Sequence, residues 1–112
     1  MSSNQHRHKG IVYLIHFYTP FHHARHYLGW TVDLDARLHL HRTGQGSRLL
    51  AAVTAAGIAW DVVRVWRDRP VQFERELKRQ RQAPMPCPVC REARRVVRLA
   101  NQRRQRGLRR AV

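Results

Sequence analysis

Residues 27–41 read Tyr27-Leu-Gly29-Trp-Thr31-Val-Asp33-Leu34-Asp35-Ala-Arg37-Leu38-His-Leu-His41. A short apolar-aromatic piece meets a glycine, and a helix begins behind it. Thr31 or Asp33 can cap that helix, and Asp35 falls in its first turn, where a negative charge meets the positive end of the helix dipole. At 100° per residue Leu34 and Leu38 form an apolar stripe, with Arg37 and His41 on its flank. The stretch therefore predicts a strand end, a tight junction, and a helix carrying an arginine and a histidine one turn apart at the edge of a buried face. Thr43-Gly44-Gln45-Gly46 closes the helix.

The pattern extends in both directions. Gly10 to Phe17 (GIVYLIHF) is β-branched, aromatic and almost continuously apolar, as a strand covered on both faces would be. Tyr18 to Arg25, with Pro20, His22 and His23, reads as a connecting loop. His26 to Thr31 resumes a strand, and an antiparallel hairpin is the economical pairing. Ser47 to Gly57 is a small, apolar second helix. Trp60 to Trp66 (WDVVRVW) is a third strand. Arg67 to Arg69 read as a turn, and Pro70 suits the start of a helix running to about Gln82, with Phe73 and Leu77 on the core and Glu74 beside them. The prolines of 83–88 break it. From Val89 to Ala100 apolar residues recur at helical spacing among arginines, and the remaining residues read as a basic tail.

The expected architecture is α+β: a three-stranded antiparallel sheet flanked by helices in the order β-β-α-α-β-α, followed by a basic C-terminal helix. Residues 9–82 form one domain and 83–112 a basic extension containing the Cys87-Pro-Val-Cys90 turn.

Composition narrows the function. The 112 residues carry 22 Lys and Arg against 7 Asp and Glu, a formal net charge of +15. Self-repulsion on that scale calls for a polyanion, and nucleic acid is the first partner to consider. The cations are mostly arginines, whose planar fork suits bidentate phosphate contacts. Arg91, Arg94, Arg95 and Arg98 of the basic helix are the expected phosphate-tracking residues, giving sequence-independent, salt-sensitive affinity. The longest apolar stretch, 49–60, is shorter than the roughly 20 residues of a spanning helix. No apolar leader follows the polar start, so a soluble cytoplasmic protein with no membrane partner is expected. Cys87 and Cys90 have the spacing of half a zinc site, with two of the eight histidines free to complete it. His8, His22, His23 and His39 are equally placed by sequence.

Four spaced elements in order resemble the GIY-YIG endonuclease superfamily. They are Gly10-Ile11-Val12-Tyr13, Tyr27-Leu28-Gly29, the helix with Leu34, Arg37, Leu38 and His41, and Glu74 followed by Leu77 and Lys78. The first motif is a variant, with Ile-Val-Tyr at its end and the glycine one residue earlier. Asn101 lies beyond the proline break and has no role carried over. The resemblance covers about residues 9–82. It implies a metal-dependent endonuclease acting on DNA, with RNA not excluded, and a monomer is the simplest state. It implies that Tyr13 is the general base, that Arg37 pins the scissile phosphate, that Tyr27 positions water or phosphate, and that His41 orients Tyr13 or Tyr27 or shuttles a proton. Glu74 would hold one divalent ion, magnesium or manganese, and Lys78 is a further phosphate contact. The base would need its pKa lowered, and Arg37 and the metal are the available positive charges. Two readings compete: a catalytically weak nucleic-acid-binding domain on the same fold, and a small zinc-binding regulatory protein.

Overall fold

A computed structural model describes residues 8–80 and 86–110. Strand β1 (Lys9–Phe21) is the centre of a three-stranded antiparallel sheet, with β2 (Ala24–Thr31) on one side and β3 (Trp60–Pro70) on the other. Helices α1 (Leu34–Arg42) and α2 (Arg48–Ala55) lie between β2 and β3 in sequence. Helix α3 (Val71–Arg79) follows β3 directly, and α4 (Pro88–Arg110) ends the described chain. The expected α+β order is the observed one.

The continuous apolar run of β1 is explained by burial on both faces. Tyr13, Ile15 and Phe17 point to one side, where Leu50 and Val53 of α2 and Leu34 and Leu38 of α1 cover them. Val12 and Leu14 point to the other, where Phe73 and Leu77 of α3 join Cys87 and Val89 from the start of the extension. Alternation along a strand is thus what separates two chemically different faces.

Four sequence expectations are corrected. The residues read as a loop, 18–25, are mostly strand: β1 runs to Phe21, which pairs with Ala24, leaving a two-residue turn with His22 in the left-handed region (φ 54°). The turn expected at Arg67–Arg69 is a β-bulge. Gly10 pairs with Arg69 and Val12 with Trp66, so β3 carries one extra residue there, and Asp68 takes a positive φ of 56°. The basic tail is helical, since α4 continues through residues 101–110. Its arginines are mutually repulsive but have high helix propensity, and Pro88 pre-forms the first turn. The expected C-terminal end of α3 near Gln82 falls at Arg79, and residues 81–85 lie outside the described chain.

Candidate functional site

Tyr13 sits at the middle of β1 on the face covered by α1. Its hydroxyl lies 2.7 Å from Nε2 of His41, a buried contact between residues 28 apart in sequence. His41 is fully buried, not on the flank of the helix as its spacing suggested. It lies seven residues after Leu34, two helical turns on, and so shares the stripe. The Asp33 side chain fixes the start of α1 by accepting from the Ala36 N–H at 3.1 Å, and Thr31 braces the Asp33 backbone.

Two glycines make room for the pair. Tyr13 is the cross-strand partner of Gly29. A Cβ on Gly29 would collide with the phenol at Cζ and the hydroxyl, and a Cβ on Gly46 would collide with Nδ1 of His41. That Nδ1 is buried and has no hydrogen-bond partner among the described residues. An orphaned buried N–H costs more than an orphaned lone pair in a site that cannot rotate to satisfy it. The proton is therefore better placed on Nε2, so that His41 donates to the Tyr13 oxygen. Burial, and then the nearby Arg37 charge, hold the His41 pKa below its ordinary value, which keeps the ring neutral.

Tyr27 completes an aromatic cluster: its ring centroid is 6.1 Å from Tyr13 and 5.3 Å from His41. Arg37 and Glu74 are close enough to act on the Tyr13 titration in opposite directions. His41 and Tyr27 contact the Tyr13 phenol, and the charges of Arg37 and Glu74 reach it, so residues of β1, β2, α1 and α3 all bear on one phenol. The expected pKa depression is not found. Burial, followed by Tyr27, raises the Tyr13 pKa far above its ordinary value, and the lowering by Arg37 does not offset it.

Glu74 is buried, at 6% exposure, on α3 beside the core-packed Phe73. Its Oε1 is ion-paired with Lys78, whose side chain is 56% exposed and free to swing outward. The expected phosphate contact at Lys78 is therefore partnered by a carboxylate. One buried carboxylate with a displaceable partner fits a magnesium ion that keeps most of its waters. On α4, Arg94 and Arg98 are exposed, and Arg95 lies 3.6 Å from Glu92.

A second cluster lies on the opposite face of the sheet. His16 and His26 are cross-strand partners on β1 and β2. Cys87 precedes α4, accepting the Arg91 N–H through its carbonyl at 3.0 Å, and Cys90 lies in the first turn. Nδ1 of His16, Nε2 of His26 and both Sγ atoms lie within 4.8 Å of one another, an arrangement that could hold a metal ion. Burial is the main cause of the lowered His16 and His26 pKa values, with His26 brought to about 4, and burial raises the Cys90 thiol.

Sequence reasoning found the two cysteines but not their histidines. Neither His22, His23, His39 nor His8 belongs to the cluster among the described residues. The usable signal was cross-strand register, but three extra residues in β1 between His16 and Phe21 shift the pairing away from a simple count back from the turn.

No family model, curated protein or solved structure matches this chain. No helix among the described residues is long and apolar enough to cross a membrane.

Proposed function

We propose that the protein is a metal-dependent endonuclease that hydrolyses phosphodiester bonds of nucleic acid, DNA in the first instance, on a GIY-YIG-like domain. The single observation carrying this reading is the buried 2.7 Å contact between Tyr13 and His41, with the Tyr27 ring beside the same phenol and the charges of Arg37 and Glu74 within reach of it. Each residue alone has an ordinary structural explanation. A core tyrosine needs a polar partner, and Glu74 with Lys78 makes a common i,i+4 pair. Four such residues from three elements bearing on the hydroxyl of a fifth are better explained by chemistry.

In this reading the minor, anionic form of Tyr13, whose own proton has already been lost to solvent, takes the proton of an attacking water as the new P–O bond forms and the bond to the leaving sugar oxygen breaks. His41, donating from Nε2, holds the oxygen in place and stabilises its anionic form. Arg37 favours the same form and binds the non-bridging phosphate oxygens. Glu74 would hold the magnesium or manganese ion, which when bound supplies positive charge at the phosphate. The arginines of α4 bring the backbone to the site through charge. Cys87 and Cys90 enter as the thiolate half of a structural zinc site.

The test is incubation of supercoiled plasmid with purified protein and magnesium, beside Arg37→Ala and Glu74→Ala. Nicking by the wild-type protein that both variants lose is the expected result. Absence of cleavage by the wild-type protein, or equal cleavage by all three, removes the catalytic assignment.

A further inference from the structure

Four of the six ligand-atom separations within the His/Cys cluster match a tetrahedron built around zinc, and all six are within 4.8 Å. Zinc–nitrogen bonds of about 2.0–2.1 Å and zinc–sulfur bonds of about 2.3 Å at tetrahedral angles place two nitrogens about 3.4 Å apart and a nitrogen and a sulfur about 3.6 Å apart. Here the two imidazole nitrogens are 3.3 Å apart. The nitrogen–sulfur separations are 3.5 Å (His16–Cys87), 3.7 Å (His16–Cys90) and 3.3 Å (His26–Cys90).

Hydrogen bonding does not account for this convergence. Nδ1 of His16 faces His26, Cys87 and Cys90 at once. A neutral imidazole nitrogen has one proton or one lone pair to offer, not three. The donor set also points to a particular ion. Two imidazoles and two thiols, with no carboxylate among the four, suit zinc and not magnesium or calcium. The backbone supports the thiolate side: the Cys90 N–H points at the Cys87 sulfur, 3.5 Å away, and both residues stand at the positive end of α4.

The position of the cluster gives it a task. The sheet contributes His16 and His26, and the extension contributes Cys87 and Cys90. Beyond the first turn α4 leaves the body of the domain: Val89 and Cys90 pack on the sheet-side core, whereas Val96, Val97 and Leu99 are exposed. A 23-residue helix carrying nine arginines is therefore seated at its first turn. Among the described residues, the part-buried side chains of α4 are those of its first turn.

We propose that one zinc ion, bound by His16 Nδ1, His26 Nε2, Cys87 Sγ and Cys90 Sγ, fastens the basic helix to the sheet, so that the affinity of the protein for nucleic acid depends on zinc. Four protein ligands close the coordination shell, so the ion is structural and takes no part in cleavage. Its role in binding rests on the reading of α4 as a nucleic-acid contact; the ligand set itself does not.

The experiment uses the full chain and omits magnesium, so that it is independent of cleavage. Metal analysis of purified protein is expected to give one zinc per chain. After removal of zinc by chelation, cobalt(II) is expected to restore a one-to-one complex with the intense visible bands of a tetrahedral thiolate site. His16→Ala and His26→Ala are each expected to weaken cobalt binding and change that spectrum, as is Cys87→Ser. Circular dichroism identifies any variant that fails to fold, and the chelated wild-type protein supplies the same comparison without a substitution. Anisotropy with a labelled duplex is expected to show affinity falling on the order of tenfold on chelation and returning with zinc. Metal-free protein that gives no tetrahedral cobalt spectrum, or histidine variants with the wild-type spectrum, would overturn the ligand set. Duplex affinity unchanged by chelation would overturn the fastening role.

Discussion

Gly29 and Tyr13 face each other across the β1–β2 ladder, and the phenol of Tyr13 occupies the space a side chain at 29 would fill. The glycine of the Tyr27-Leu28-Gly29 motif is thus a packing requirement of the phenol and not a turn. Gly29→Ala is expected to push the ring off Gly29, break its contact with His41 and cost about 1–3 kcal/mol of stability in chemical denaturation. Cleavage should fall with it. Wild-type stability in the variant would show that the ring has room to move.

The same logic applies one layer further out. Gly46 abuts Nδ1 of His41, so Gly46→Ala should displace the imidazole from the far side of α1. Its effect on cleavage should resemble that of His41→Ala, although residue 46 is placed in no contact with substrate. If His41→Ala cleaves normally, the 2.7 Å contact is packing alone.

Much of this arrangement was legible in the sequence, for identifiable reasons. Continuous burial gave β1 its unbroken apolar run, and Thr31 and Asp33 marked the start of α1, where Asp33 is the cap. The relation of Tyr13 to residues 37, 41 and 74 came from a family resemblance, since no local pattern links a strand to a helix sixty residues later. What escaped was irregular. The bulge at Asp68 looked like a turn because a charged Arg-Asp-Arg run has no apolar alternation. The extra residues of β1 hid the pairing of His16 with His26. The sign of the Tyr13 shift was hidden as well, because charges can be counted in a sequence but desolvation cannot.

That sign sets the pH dependence. The folded-state pKa of Tyr13 is raised, so the phenol stays protonated throughout the neutral and mildly alkaline range. If the anionic oxygen accepts the proton of water, its population grows about tenfold per pH unit below that pKa. Single-turnover cleavage in magnesium should therefore rise with a log-rate slope near one from about pH 7 to pH 9. A plateau beginning near neutrality would mean that a different group is the base.

The arginines of α4 make a separate, electrostatic prediction. Each phosphate contact contributes about 0.9 to the slope of log affinity against log salt on duplex DNA. Arg94→Gln combined with Arg98→Gln should lower that slope by about two and weaken binding to all sequences alike. An unchanged slope would place the duplex elsewhere on the protein.

The most direct measurement is single-turnover cleavage of an end-labelled duplex by the wild-type protein and by Tyr13→Phe, in magnesium at mildly alkaline pH. The substitution removes one oxygen from the buried pair and leaves the ring over Gly29. The rate should fall by about a hundredfold or more while the far-UV spectrum and duplex affinity are retained. Cleavage by Tyr13→Phe at the wild-type rate would contradict the account at its centre.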